Sequence, residues 1–180
     1  MLNNKIDFAV VFSVKNANPN GDPLGGNRPR TTSDGLGEVS DVCLKRKIRN
    51  RLQQMGEKIF VQADELCDDG KNSLSQRYND FMKEKGNPKE KTIISMEVCK
   101  EWFDVRSFGQ VFAFKKSDNE NEVSLGIRGP VTIQSAFSVE PVAPESIQIT
   151  KSVNSDPTKD GRKSSDTMGM KHRISHAVYV

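Results

Sequence analysis

The feature that most constrains this chain is a loop rich in Asn, Gly and Pro that runs directly into a short, strongly basic helix. Five of the seven residues from Lys45 to Arg51 are cationic. Apolar side chains recur through the same stretch at the spacing of one helical stripe, which predicts an amphipathic helix. Ser40 is the predicted N-cap, and Gly56 the predicted stop. The stripe consists of Leu44, Ile48, Leu52 and Met55.

Helical spacing places three of these cations together on one flank of the stripe. They are Lys45, Arg46 and Arg49, and are called the basic ridge below. Most charge runs are solvated helix faces, so the ridge by itself indicates no function. Because its members flank the stripe and do not belong to it, we predict that replacing them leaves the fold intact.

The loop before the helix, from Asn16 to Ser40, holds five Gly, three Pro and two Arg, and no aromatic residue. Glycines let a backbone approach a ligand closely, and turns of this kind present N–H groups to anions. Arg28 and Arg30 add the planar, fork-shaped donors that suit phosphate. The spacings GxxxxGK[ST] and GxGxxG are absent, which argues against a nucleoside triphosphate or a dinucleotide. The remaining candidate is extended phosphate, such as a nucleic-acid backbone.

Composition predicts one domain with insertions, because 180 residues with 34% hydrophobic content can bury one core of ordinary size. A net charge of +3 is mild, so affinity for nucleic acid must come from local clusters. Cys43, Cys67 and Cys99 are widely spaced, which fits reduced thiols in a cytoplasm and excludes a zinc ribbon. Neither a signal peptide nor a membrane span is predicted.

The pattern along the chain predicts an α+β fold. A strand with alternating apolar residues, a long loop and an amphipathic helix form the opening of a ferredoxin-like βαβ unit. Helical pieces with mixed charges follow, and then further strands around a polar segment. The predicted ranges are a strand at 6–15, a helical lobe at 57–101, a strand at 131–139, a polar segment at 151–171 and a strand at 173–180. In the second strand Phe137 and Val139 form the apolar face.

Five motifs in order carry a resemblance across nearly the whole chain. The chain resembles the crRNA-binding backbone subunit of type I CRISPR Cascade complexes, most closely type I-C, in the RAMP superfamily. The motifs are NPNGDP from Asn18, SDVCLKRKIR from Ser40, DVRSFGQVFA from Asp104, IRGPVTIQSAFS from Ile127 and TMGMKH from Thr167.

The resemblance implies a modified RRM-like (ferredoxin-like) palm over residues 1–180, with a helical insertion at residues 57–101. It also implies a β-hairpin thumb at residues 150–172. The family continues past Val180 with the second helix and last strand of the palm, so we expect the fold to lack these two elements.

By the same resemblance, the protein is a non-catalytic subunit that polymerises along the guide crRNA and presents it for pairing with target DNA. The implied partners are crRNA, target DNA, other copies of the chain and other Cascade subunits, with no cofactor and no membrane. The predicted RNA-binding residues are Arg28, Arg30, Lys45, Arg46, Arg49, Met168 and Lys171.

The sequence supports a catalytic function less well than it supports RNA binding. His172 and His176 have the spacing of a helical metal pair, but a strand would separate them by about 13 Å, so no metal site is predicted. Related type III subunits cleave target RNA with a thumb-region Asp, which makes Asp156 and Asp160 candidates for a metal-dependent ribonuclease. A polar hairpin tip carries Asp in any case. A guide-processing ribonuclease needs a second catalytic group beside a His, and none is recognisable. A protein-interaction domain is the remaining alternative.

Overall fold

The computed structural model describes residues 3–114, 124–150 and 168–180 of the chain. Helices and antiparallel strands are both present, in two compact units. The first, called the sheet unit, comprises Met1–Asp41 and Ser135–Val180. The second, called the helical unit, comprises Val42–Gln134.

In chain order the elements are β1 (Phe12–Ala17), β2 (Gly21–Asp22), β3 (Arg28–Pro29), β4 (Leu36–Val39), α1 (Asp41–Gln54), a 3-10 turn (Asp64–Leu66), α2 (Leu74–Glu84), α3 (Lys91–Glu101), α4 (Phe103–Phe108), β5 (Gly109–Ala113), β6 (Ser124–Arg128), β7 (Ala136–Pro141), β8 (Glu145–Thr150) and β9 (Met168–Tyr179).

The main sheet has the strand order β1-β9-β7-β4, and all of its pairs are antiparallel. The long strand β9 organises it. Its C-terminal half pairs with β1, with Phe12 opposite Tyr179. Its N-terminal half pairs with β8, with Thr150 opposite Met168. The two strands β8 and β9 therefore form a ribbon, called the arm below, at residues 145–150 and 168–173.

Tyr179 lies at the centre of the sheet unit. Its side chain is fully buried and stacks on Phe12 with ring centroids 5.3 Å apart. Gly37 in β4 approaches the Tyr179 hydroxyl so closely that a Cβ at this position would overlap it. The Gly37 N–H donates to the Ser138 hydroxyl of β7 at 2.8 Å. These contacts join β4, β7 and β9, and only a residue without a side chain fits at Gly37.

The first predicted strand is shorter than expected. Strand β1 begins at Phe12, and the apolar residues before it are more than half exposed: Ile6 by 56%, Phe8 by 63% and Val10 by 60%. The alternation of side chains is present, but in the part of the chain that the structure describes no strand pairs with this stretch. Alternation alone does not form a strand, because the backbone needs a hydrogen-bonding partner.

The second predicted strand forms later, at Ala136, and with the opposite face inward. Ala136 and Ser138 are buried, whereas Phe137 and Val139 are exposed by 42% and 65%. Ser138 lies directly opposite Tyr179 in the neighbouring strand, so the side of the sheet that carries Tyr179 requires small residues here. The predicted apolar face was wrong, because a strand offers two faces and packing selects between them.

Aromatic residues form the core of the helical unit. Trp102 packs against Phe60 and Phe81, with ring centroids 4.6 and 4.7 Å apart. Tyr78 of α2 and Phe112 of β5 complete the group, with their ring centroids 4.9 Å apart. The predicted helical lobe at residues 57–101 contains α2 and α3. Its buried side chains share one core with residues of α4, β5 and β6.

Helix α1 confirms the predicted basic helix and its stop. Gly56 has a φ of +91°, and the N–H groups of Gly56 and Glu57 donate to the carbonyls of Gln53 and Leu52. This pair of bonds is the glycine-dependent C-terminal motif of helices. The apolar stripe is not the buried face, however, because no residue of α1 is buried and Met55 is 67% exposed. None of the helices in the described ranges has the length and hydropathy needed to cross a bilayer.

Candidate nucleic-acid interface

The predicted RNA-binding residues divide between the two units. Arg28, Arg30, Met168 and Lys171 belong to the sheet unit. The basic ridge of Lys45, Arg46 and Arg49 belongs to the helical unit. Each group is therefore described within its own unit.

The loop that carries Arg28 is an ordered hairpin between β2 and β3. The Asp22 carbonyl accepts from the N–H groups of Gly25 and Asn27 at 3.1 and 2.8 Å, and its carboxylate accepts from the N–H of Leu24 at 3.2 Å. An Asp that binds the backbone two residues later is typical of a tight turn. Three main-chain N–H groups of this loop are thus used inside it and do not face a ligand.

Asn20 fastens this hairpin to the rest of the sheet unit. Its side-chain oxygen accepts from both the N–H and the hydroxyl of Ser40, each at 2.9 Å. Its carbonyl accepts from the N–H of Arg30, and the Arg30 carbonyl accepts from the N–H of Glu38, each at 3.0 Å. The motif NPNGDP therefore acts structurally, because it fixes the backbone from which Arg28 and Arg30 extend.

Arg28 and Arg30 line an open groove of about 470 Å³ within the sheet unit. A guanidinium nitrogen of Arg30 lies 3.7 Å from the Asp22 carboxylate, and both side chains are about 40% exposed. Exposed pairs of this kind contribute little, so Arg30 can exchange this partner for a phosphate at small cost. The polar residues lining the groove are Asp22, Arg28, Arg30, Thr31, Glu38 and Ser146.

The groove continues onto one face of the arm. Residues directly opposite in an antiparallel pair share a face, and successive residues alternate. Ser146 lines the groove, so the face that includes it is called the groove face. Its cross-strand pairs are Ser146 with His172, Gln148 with Met170 and Thr150 with Met168. Met168 therefore lies on the same continuous surface as the two groove arginines.

Lys171 lies on the opposite face of the arm. Its cross-strand partner is Ile147, and the same face carries the ion pair between Arg173 and Glu145 at 3.1 Å. The ammonium of Lys171 and the sulfur of Met168, neighbours in the predicted site, are thus separated by the ribbon. The structure unites Arg28, Arg30 and Met168 on one surface and does not bring Lys171 to it.

Arg49 of the basic ridge is an internal anchor. Its Nε donates to the Asp104 carboxylate at 2.9 Å, and its guanidinium lies 5.2 Å from the centre of the Phe108 ring. Asp104 is 1% exposed and also accepts from the N–H groups of Phe60 and Val61, at 2.7 and 3.1 Å. Arg49 thus pairs with a buried carboxylate, which argues against the prediction that the whole ridge is dispensable for folding, and the stability of an Arg49 variant tests that prediction.

Arg46 is also used within the helical unit. Its guanidinium donates to the Val61 carbonyl at 2.7 Å. Burial lowers the pKa of Arg46 from its ordinary value, and the neighbouring charge of Arg49 lowers it further. Sequence reasoning missed Asp104 as the partner of the ridge. The available signal was a single acidic residue inside the apolar stretch WFDVRSF, because a buried carboxylate requires a partner.

A buried arginine, Arg77, holds the loop that follows the 3-10 turn. Arg77 of α2 is 6% exposed, donates to both carboxylate oxygens of Asp69 and donates to the Phe60 carbonyl at 2.7 Å. The hydrogen bond from Arg77 lowers the pKa of Asp69 to about 2. This loop is thus fixed by an ion pair and not by apolar packing.

The catalytic alternatives receive no direct test. Among the residues that the structure describes, no three His, Cys, Asp or Glu side chains form a group suited to a metal ion. His172 and His176 both lie in β9, as the strand prediction required. Asp156, Asp160 and residues 151–167 of the predicted thumb lie outside the described residues.

These features define a protein with an antiparallel sheet, extended by a two-stranded arm beside an arginine-lined groove. The chain matches the family model for CRISPR-associated protein Cas7 over residues 4–180, and it belongs to that family. The family recognised from the five motifs is thereby confirmed.

Individual relatives agree with this assignment. The CRISPR-associated protein Cas7 of Haloferax volcanii is 30% identical over 120 residues, which are 66% of this chain and 35% of the relative. A chain of the solved structure titled "CRISPR RNA-guided surveillance complex, pre-nicking" has a similar fold, with a TM-score of 0.50 and 17% identity. That match covers 94% of this chain and 58% of the other. The chain thus spans about a third of the curated relative and somewhat over half of the solved one.

Proposed function

We propose that this chain is a non-catalytic, RNA-binding subunit of a type I CRISPR surveillance complex, most like type I-C. In this proposal, copies of the chain polymerise along the guide crRNA in the cytoplasm and present it to target DNA beside other Cascade subunits. The sheet unit corresponds to the modified RRM-like palm, and the segment at residues 150–172 corresponds to the thumb. Membership of the Cas7 family supports this proposal.

The observation that carries the proposal is the groove of Arg28 and Arg30 and its continuation onto the arm. Two guanidinium groups in an open, polar groove suit a phosphate backbone, which they bind without reading base sequence. Met168 lies along the same surface and offers a flexible apolar side chain that can pack against a base. Proteins that bind single-stranded nucleic acid combine a cationic groove for the backbone with side chains that pack on the bases, most often aromatic ones, and Met168 would take this second role here.

The test is RNA binding by the full chain with Arg28 and Arg30 both changed to Ala. We expect weaker binding to RNAs of unrelated sequence, because phosphate contacts ignore the bases. The slope of log K against log salt should flatten by about 0.7 for each lost contact, or about 1.4 in all. The matched control changes Lys47 and Arg51 to Ala, which removes the same charge from exposed positions of α1 outside the predicted site.

An equal loss in both double variants would mean that only net charge matters and would contradict a role for the groove. Failure of the unaltered protein to bind RNA would refute the proposal as a whole. The non-catalytic part has its own assay, in which guide RNA and complementary RNA are incubated with the protein and Mg²⁺. Both RNAs should remain intact, and specific fragments would favour the ribonuclease alternative.

A further inference from the structure

His172 lies where the arm meets the groove. Its Nδ1 is 2.9 Å from the hydroxyl oxygen of Ser146, its direct partner across the ladder of β8 and β9. Ser146 lines the groove together with Arg28 and Arg30. His172 is half-buried and belongs to the groove face. An imidazole therefore adjoins the surface proposed to bind phosphate, at a position that the predicted site did not include.

The charges around this junction are balanced. The two groove arginines are opposed by two carboxylates, those of Asp22 and Glu38. The remaining charged groups of the arm, Lys171, Arg173 and Glu145, lie on the opposite face, where Arg173 pairs with Glu145. The charged residues that line the groove thus contribute no net charge while His172 is neutral. A single proton on His172 makes the junction cationic.

Protonation also changes the hydrogen-bond donors. In neutral imidazole one ring nitrogen donates and the other accepts, so Nδ1 can accept from the Ser146 hydroxyl. In the imidazolium form both nitrogens donate, and Nδ1 donates to the Ser146 oxygen. The hydroxyl hydrogen of Ser146 is then released toward other acceptors, whereas the Nε2 proton is present in both forms. A phosphate in the groove would meet one more charge and one more donor.

We propose that His172 is a further RNA-binding residue, and that its protonation strengthens the binding of backbone phosphate in the groove. This inference rests on the proposed function, because the groove must hold RNA for the proton to affect binding. Proton binding and RNA binding then favour each other by the same factor. The affinity for RNA is therefore higher at a pH where the imidazole is protonated than at a pH where it is neutral.

The test measures Kd for a fluorescent single-stranded RNA of mixed sequence at about pH 5.5 and about pH 8. The unaltered chain should bind about tenfold more tightly at the lower pH, the effect of one hydrogen bond between charged groups. His172→Gln should abolish this dependence, and His172→Lys should bind tightly at both values. His176→Gln is the matched control, because the chain has only two histidines and His176 lies further along β9, opposite Lys15. Far-UV circular dichroism at both pH values verifies that each variant is folded.

Retention of the pH dependence by His172→Gln, or its loss in His176→Gln alone, would overturn this inference. The same follows if His172→Lys binds no more tightly than His172→Gln at the higher pH. The double variant Arg28→Ala, Arg30→Ala distinguishes a failure of the proposed RNA-binding function from a failure of the role proposed for His172. If that variant weakens binding while the unaltered chain shows no pH dependence, the proposed function stands and the role of His172 fails. If the unaltered chain binds RNA at neither pH, both fail.

Discussion

Replacing Arg49 with Ala tests whether the basic ridge anchors the fold. The guanidinium of Arg49 is 13% exposed and donates to the carboxylate of Asp104, which is 1% exposed. Without Arg49, the buried carboxylate of Asp104 would lose the cation that pairs with it. We therefore expect Arg49→Ala to destabilise the helical unit and not only to weaken RNA binding.

The size of the effect follows from the contacts that remain. Removing one partner of a buried ion pair typically costs about 3–5 kcal/mol of stability. We therefore start from a loss of about 4 kcal/mol in the free energy of unfolding. Asp104 retains two backbone donors, from Phe60 and Val61, which offset about 2 kcal/mol of this loss. The contact of Arg49 with the Phe108 ring adds about 0.5–1 kcal/mol to it. We expect a net loss of about 3 kcal/mol.

Urea unfolding followed by tryptophan fluorescence is the assay. Trp102 is the sole tryptophan of the chain, is 5% exposed and lies between Phe60 and Phe81 in the core of the helical unit. With a slope of about 1–3 kcal/mol per M, the midpoint should fall by about 1–3 M. The urea midpoint of Arg49→Lys should lie between those of the unaltered protein and Arg49→Ala, because lysine keeps the positive charge but lacks the planar guanidinium.

Lys47→Ala is the control for this measurement. Lys47 is exposed on the same helix, and its loss should change the free energy of unfolding by less than about 0.5 kcal/mol. If Arg49→Ala unfolds at the same urea concentration as this control, the ion pair with Asp104 contributes nothing to stability. The reasoning would then be refuted, and Arg49 would return to the set of cations available to RNA.

Two further predictions concern single contacts. Arg77 lowers the pKa of Asp69 to about 2 from an ordinary 3.8, so this pair stabilises the fold above about pH 4 and its contribution is lost as the pH falls toward 2. Acid titration of the Trp102 signal should show this loss, and Asp69→Asn should remove it; an unchanged titration curve would contradict the pairing. Gly37→Ala should destabilise the sheet unit by about 1–3 kcal/mol, because the added Cβ overlaps the buried Tyr179 hydroxyl. Gly126→Ala, where a Cβ meets open space, is the control in thermal unfolding followed by circular dichroism, and an equal shift in both variants would contradict the steric argument.

Local sequence signals determined the secondary structure around α1 and at the end of the chain. The basic helix ends where Gly56 permits a positive φ, and this requirement is readable from one residue. The last strand, predicted from residue 173, is confirmed within β9. The five motifs identified the family, because an ordered series of short motifs depends on no tertiary contact. Arg28 and Arg30 were predicted from their place in the Gly-rich loop, and their binding of RNA stays a prediction.

The choice between faces could not be read from the sequence. Alternation in β7 gives two faces, and the contact of Ser138 with Gly37 turned the small residues inward. In the arm, strand alternation places Met168 and Lys171 on opposite faces, and the pairing of β8 with β9 decides which of these faces also carries Ser146 of the groove.

Only the tertiary structure shows that Arg49 of the basic ridge pairs with a buried carboxylate. Arg49 and its partner Asp104 are separated by 55 residues, and helical periodicity carries no information about a contact at that distance. Helical periodicity determines the side of α1 on which the cations lie, because the helix has a constant pitch. Whether such a side faces solvent or a buried carboxylate depends on the segment that folds against it. The segment that folds against α1 includes α4, which carries Asp104, and a buried carboxylate requires a positive partner.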